Sequence, residues 1–167
     1  MTGARYLARV SQQLWLLRHG EAERHDARPD AQRCLTERGE RQSQIAGRAL
    51  AELGLVIHDA FTSPKARALD TARLACAALG IEPAEHAELA EGFDAREALT
   101  LAAEAGADRR VLVVGHNPDF DQVVHDLTGA RIHLKKGGVA GIALDGSRGE
   151  LLALLRPREL AAISRKG

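Results

Sequence analysis

Apolar positions along this chain come in short bursts that alternate between strand and helix periods. Leu14 to Leu17 is a continuous apolar run of strand length. A charged stretch with Pro29 and no apolar periodicity follows as far as Cys34. Thr36 then stands as an N-cap before a helical pattern that places Ile45, Leu50 and Leu53 on one side and ends near Gly54. Ala60 to Thr62 predicts a short strand. Ser63-Pro64 predicts a helix start, with serine as cap and proline at the first helical position, running through Leu69, Ala72, Cys76 and Leu79 to Gly80. Ala84 to Leu89 reads as a strand and Arg96 to Ala105 as a helix. Val111 to Val114 is the β-branched kind of run that a sheet buries on both faces. Gly115-His116-Asn117-Pro118 turns it into a further helix, with Asn117 as cap and Pro118 at the first position. Val139 to Leu144 and Leu151 to Leu155 pair across Asp145-Gly146 as a hairpin. Strands alternating with helices predict one α/β sandwich with a largely parallel sheet.

The length of 167 residues suits a single domain with a real core. Residues 1–12 read as an extension ahead of it, and the domain as 13–167. Only 3% of residues are aromatic, so Leu, Ala, Val and Ile must build that core. The 23 basic and 23 acidic residues cancel, which leaves no global field to recruit nucleic acid or an anionic membrane. Any anion binding must come from local arginine placement. Cys34 and Cys76 have neither metal-ligand spacing nor a disulfide pattern. The apolar runs are too short to cross a bilayer, and Arg5 and Arg9 are followed by no signal-peptide core before Leu14, so the chain reads as cytoplasmic.

Three strand-to-helix junctions carry the candidate chemistry: Arg18-His19-Gly20, Ser63-Pro64-Lys65-Ala66-Arg67 and Gly115-His116-Asn117-Pro118. Ligands of open α/β sheets bind outside the carboxyl ends of the strands, where all three junctions are expected. Two of them also open helices, whose free N–H groups favour an anion. A guanidinium fork binds phosphate oxygens in pairs, and a neutral imidazole is a competent nucleophile near neutral pH. Taken singly, each junction is also an ordinary capped turn. Their joint occurrence favours a phosphoryl site.

In these residues the chain resembles the histidine phosphatase superfamily, whose branches include phosphoglycerate mutases, acid phosphatases and small SixA-type phosphohistidine phosphatases. The resemblance spans roughly residues 13 to 157. Arg18-His19-Gly20 stands where the family has its nucleophilic histidine and first phosphate arginine. Arg67-Ala68 with Thr71-Ala72 matches its second arginine segment, and Gly115-His116 its second histidine. Arg33-Cys34-Leu35-Thr36, with Gly39 after it, is similar to a SixA-type stretch whose arginine also faces phosphate. Leu134-Lys135-Lys136-Gly137 and Arg156-Pro157 also resemble that branch.

The resemblance implies a three-layer α/β/α sandwich of the phosphoglycerate mutase type. It implies His19 as nucleophile, with Arg18, Arg33, Arg67 and His116 around the phosphoryl oxygens. The cluster supplies the positive charge that magnesium provides elsewhere, so neither metal nor cofactor is expected. For a general acid, Glu91 resembles a leucine-x-glutamate of mutase-like branches, with Glu21 and Asp94 as alternatives; each also reads as a surface carboxylate. Lys135-Lys136 reads as a solvated turn, or secondarily as a docking point for an acidic partner. The expected substrate is phosphohistidine on a signalling or phosphotransfer protein. The alternatives are a small sugar or nucleotide phosphate, and a non-catalytic phosphoprotein-binding module.

Overall fold

The computed structural model describes residues 12–165. The expected extension thus lies outside the described residues apart from Gln12. Six strands form one sheet in the order β3-β2-β4-β1-β5-β6. They are β1 (Gln13–Arg18), β2 (Asp59–Thr62), β3 (Ala84–Glu85), β4 (Arg110–Gly115), β5 (Val139–Asp145) and β6 (Arg148–Leu155). β3, β2, β4 and β1 run parallel, while β5 lies antiparallel to β1 and forms the expected hairpin with β6.

Successive side chains of a strand point to opposite faces, and β1 and β4 fill both. Leu14 and Leu16 join Val111, Val113 and Phe120 on the face covered by α3 (Ala95–Ala105) and α4 (Asp119–Thr128). Trp15 and Leu17 join Leu112, Val114, Leu50 and Leu160 on the face covered by α1 (Glu37–Glu52), α2 (Ala66–Leu79) and α5 (Pro157–Ser164). The result is the expected three-layer α/β/α sandwich with its most apolar strands at the centre.

Local differences from the sequence reading have physical causes. Ser63 does not cap α2: the chain stays extended through Lys65, which takes the N-cap position, and the Ser63 hydroxyl accepts from Lys65 N–H at 3.2 Å. Asn117 does not cap α4. Its amide donates to the Leu134 carbonyl at 3.2 Å, and Pro118 precedes the first helical residue, Asp119. The expected strand from Ala84 to Leu89 stops at Glu85, at the edge of the sheet. A 3-10 turn over Ala87–Ala90 follows and buries Leu89 in the core. The sequence reading has no counterpart of α5, whose Leu160 is buried and whose Pro157 occupies the first turn.

Thr36 caps α1 as expected, accepting from Gly39 N–H at 3.1 Å. Cys34 and Cys76 are both free thiols, and burial pushes the Cys76 thiol up to about 12.

Gly20 serves the fold through close packing and not through an unusual backbone conformation. It lies outside the positive-φ glycines. What it permits is close approach, since a Cβ on Gly20 would stand 2.5 Å from the Gly39 carbonyl oxygen. A Cβ on Gly39 would collide still more closely with the Glu21 carbonyl oxygen. Two backbones therefore touch where β1 leaves the sheet and α1 begins. Alanine normally stabilises a helix over glycine by about 1 kcal/mol. At this position we expect Gly39→Ala to destabilise by about 2 kcal/mol or more, because backbone must move to admit the methyl group. Urea unfolding with unchanged stability would refute the contact.

Candidate active site

The site is built by the sheet's own hydrogen bonding. β2, β4 and β1 are neighbours, with Arg18 level with Gly115 and Thr62 level with Val114. Two further bonds continue the ladders past the strand ends: His19 N–H to the Gly115 carbonyl and Ser63 N–H to the Val114 carbonyl, both 3.0 Å. His19, Ser63 and His116 consequently stand side by side at the carboxyl edge.

The two imidazole rings face each other with centroids 5.2 Å apart and planes inclined by 55°. His19 Nδ1 lies 2.7 Å from the Gly20 carbonyl oxygen. A carbonyl only accepts, so Nδ1 carries the proton, and in the neutral ring Nε2 keeps the lone pair. His116 Nε2 shares a 2.8 Å hydrogen bond with the Ser63 hydroxyl. That oxygen already accepts from Lys65 N–H, which leaves its own proton for His116 Nε2 and favours the His116 tautomer protonated on Nδ1. His116 Nδ1 is buried without a protein partner among the described residues, as are Nε of Arg18 and of Arg67.

Arg67, second residue of α2, reaches back across the cavity. Its Nη1 donates to the Asp30 carbonyl at 2.8 Å and its Nη2 to Asp30 Oδ2 at 3.3 Å. Arg33 donates to Asp30 Oδ1 from Nη2 at 2.9 Å and to the Glu23 carbonyl from Nη1 at 2.7 Å. Lys65 Nζ stands 3.0 Å from Asp30 Oδ2. Asp30 therefore knots three cations together. The hydrogen bond from Lys65, with help from Arg33 and Arg67, holds its carboxyl far below the usual carboxylate range. Arg18 does not line the cavity of Arg67 and His116; its Nη1 donates to the Leu134 carbonyl at 2.8 Å and it borders a separate groove. Burial lowers the pKa of Arg18 and of Arg67, the mark of guanidinium groups partly stripped of water.

A hydroxyl couples these parts. Thr71 accepts from Gly20 N–H at 3.1 Å and donates to the Arg67 carbonyl at 2.7 Å, so the His19 turn and the arginine-bearing turn of α2 are tied together.

Of the candidate acids, Glu91 lines a cavity of about 450 Å³ together with Arg67, His116, Lys65 and Asp30. Its loop is fastened to α4, because Asp119 Oδ2 accepts from Gly92 N–H at 2.9 Å and from Phe93 N–H at 3.2 Å. Glu21 is not brought to that cavity. It accepts from the Thr36 hydroxyl at 3.0 Å, pairs with Arg38 at 3.3 Å and faces a separate groove. Asp94 caps α3 by accepting from Glu97 N–H at 2.9 Å. Asp30 escaped the sequence reading as a site residue, and Ser63 and Lys65 entered it only as members of the junction that carries Arg67. The one signal for them was their position beside Arg67 and Arg33. Among the described residues no group of three or more His, Cys, Asp or Glu side chains is placed to hold a metal ion. No helix among them is long and apolar enough to cross a membrane.

Comparison with known proteins identifies the family. The family model of the histidine phosphatase superfamily (branch 1) matches residues 14–108, and the chain belongs to that superfamily. A curated relative, an uncharacterized protein of Picosynechococcus, is 32% identical over 165 residues, covering 89% of this chain and 98% of its own. Among solved structures, the protein histidine phosphatase SixA complexed with tungstate superposes with a TM-score of 0.79 at 25% identity, over 89% of this chain and 99% of that one. A putative phosphohistidine phosphatase SixA from Nakamurella gives a TM-score of 0.73 at 28% identity, over 88% and 96% respectively. The chain is a phosphatase of the SixA-type branch.

The buried imidazoles make a measurable claim. Burial foremost, with Arg67 and Arg18 adding, pulls His19 down to about 3, the Gly20 bond opposing. Burial and the neighbouring His19 bring His116 to about 3. Both rings should therefore stay neutral from pH 8 to pH 5 in proton-resonance titrations of the folded chain. The unfolded chain takes up these protons near pH 6.5 and the folded chain only near 3. Their contribution to stability is thus complete above about pH 6.5 and declines as pH falls toward 3. A ring titrating near 6.5 would overturn the account.

Proposed function

We propose that the chain hydrolyses phosphoryl groups through a covalent phosphohistidine on His19, without a metal. The observation that carries this reading is the neutral His19 ring. Its Nδ1 is fixed on the Gly20 carbonyl, which leaves the lone pair on Nε2, in a corner where the charges of Arg67, Arg18 and Lys136 bear on the ring. In the first step Nε2 forms a bond to phosphorus as the bond to the leaving group breaks, and the leaving atom takes up a proton from solvent at the exposed rim of the cavity. Arg18, Arg33, Arg67 and His116 Nδ1–H offset the charge on the equatorial oxygens. In the second step water attacks phosphorus, the N–P bond breaks, and inorganic phosphate and neutral His19 are regenerated. The solved SixA with tungstate supports the reading, tungstate being a tetrahedral oxyanion like phosphate.

As substrate we infer phosphohistidine on a signalling or phosphotransfer protein. Two of the loops beside the cavity are short: residues 63–65 alone separate β2 from α2, and residues 116–118 alone separate β4 from α4, while the longer segment over residues 19–36 is held down by Arg67 on Asp30. The entrance is thereby left open to a protein side chain. A phosphoramidate bond also makes little demand on a general acid, because its imidazole leaving group departs well once protonated. This fits a site in which Glu91 is exposed at the rim and Glu21 is committed to Thr36 and Arg38. The second reading, a small phosphomonoester, rests on Glu91 lining the same cavity as His116 and Arg67.

We expect His19→Ala to lower aryl phosphate turnover by at least about a thousandfold with the circular dichroism unchanged. Acid-labile, alkali-stable radiolabel should be trapped on the parent chain and not on this variant. Retained turnover would remove His19 as nucleophile. EDTA should leave the rate unchanged, and inhibition by it would reveal a metal. Phosphohistidine protein should be hydrolysed in preference to sugar and nucleotide phosphates; the reverse order would support the phosphomonoester reading.

A further inference from the structure

A second cavity opens on the far side of Arg18 from the Glu91 loop. It is a surface groove of about 580 Å³ whose lining holds six cationic side chains and one carboxylate, Glu21. The whole chain is neutral, so this is a local concentration of charge. Separate elements supply it: Arg18 from the end of β1, Arg38 from the first turn of α1, Lys135 and Lys136 from the turn before β5, and Arg156 and Arg158 from the start of α5. Three of the six are partly neutralised within the chain, Arg38 by Glu21 at 3.3 Å, and Arg156 and Arg158 by Glu159 at 2.6 and 3.8 Å. Lys135 and Lys136 are exposed.

The groove is coupled to the catalytic corner. Gly137, in the left-handed region at φ 74°, donates its N–H to the carbonyls of Arg18 and His19, each at 3.0 Å. The lysine turn is thus fastened to the backbone of the two residues that carry the site. Lys136 is close enough for its charge to weigh on the His19 ring.

We propose that this groove docks an acidic segment of the protein that carries the phosphoryl group, a proposal that rests on the reading of a protein-borne phosphohistidine. A compact phosphate is held by convergent, buried donors such as Arg67 and His116, which line one cavity and are both nearly covered. Exposed lysines and arginines spread over four elements suit several carboxylates spaced along a chain. Such contacts govern encounter and KM more than the chemical step. An anionic membrane surface fits less well, because Pro157 is the groove's single apolar lining residue and a lipid-binding surface needs apolar side chains to insert.

The test uses an unphosphorylated hexaglutamate peptide as probe on the full chain, at low and high salt. Binding should perturb the amide resonances of residues 135–138 and 156–158 and should weaken several-fold between 50 and 500 mM salt. The double variant Lys135→Glu, Arg158→Glu should lose about tenfold or more in affinity, while Lys135→Arg retains it. Phosphoramidate, too small to reach the groove, serves as reference substrate, and its turnover by the double variant should stay within about twofold of the parent. Absence of binding, perturbation elsewhere, or binding to phosphatidylglycerol vesicles in place of the peptide would overturn the groove assignment. Peptide binding in a chain that fails to hydrolyse phosphohistidine protein would keep the groove and overturn the substrate reading.

Discussion

Hydrogen bonding between three adjacent parallel strands is the constraint on which the rest of this structure depends. The β2-β4-β1 ladder does not stop at the strand ends. It continues through His19 N–H and Ser63 N–H, each bonded to a carbonyl at the end of β4. These bonds set the height of the two histidines relative to each other before any side chain is considered. Burial then follows, because the same three strands are covered on both faces by helices. Neutral imidazoles follow from burial, since the folded chain disfavours a proton on either ring.

The positive charge of the site is organised by an internal anion. Arg33, Lys65 and Arg67 would repel one another in a half-dry corner, and Asp30 offsets that repulsion by bonding to all three. The carboxylate is half exposed to solvent while both arginines are nearly covered. The arginines are therefore fixed in direction by a partner that remains at the surface. Thr71 gives a second fixed point by joining the helix that carries Arg67 to the turn that carries His19.

Much of this was legible in the sequence, for reasons that differ from residue to residue. β1 and β4 are read from apolar runs because both their faces are buried, and α1 from Thr36, whose side chain does cap it. Arg18, His19, Arg67 and His116 stand out because each sits where a strand gives way to a turn or a helix. Asn117 and Ser63 misled as caps because their side chains bond to distant partners, Leu134 and His116, which local pattern does not reveal. The part of Asp30 was illegible for a similar reason. It arises only when the turn over residues 30–32 is laid against the start of α2. By sequence Glu91 stands ahead of Glu21 as an acid only through a resemblance, and it is folding that sends Glu21 to the groove and Glu91 to the cavity of His116.

The contact between Gly20 and Gly39 divides the molecule into regions with different freedom to change. Around His19, space is taken by main chain, and a single added carbon at Gly20 or Gly39 meets a backbone carbonyl. Around the entrance, the Glu91 loop, the lysine turn and the start of α5 present side chains to solvent. Variation is thereby channelled outward. A chain of this design can acquire a new clientele by altering its rim while the floor that performs the chemistry stays the same.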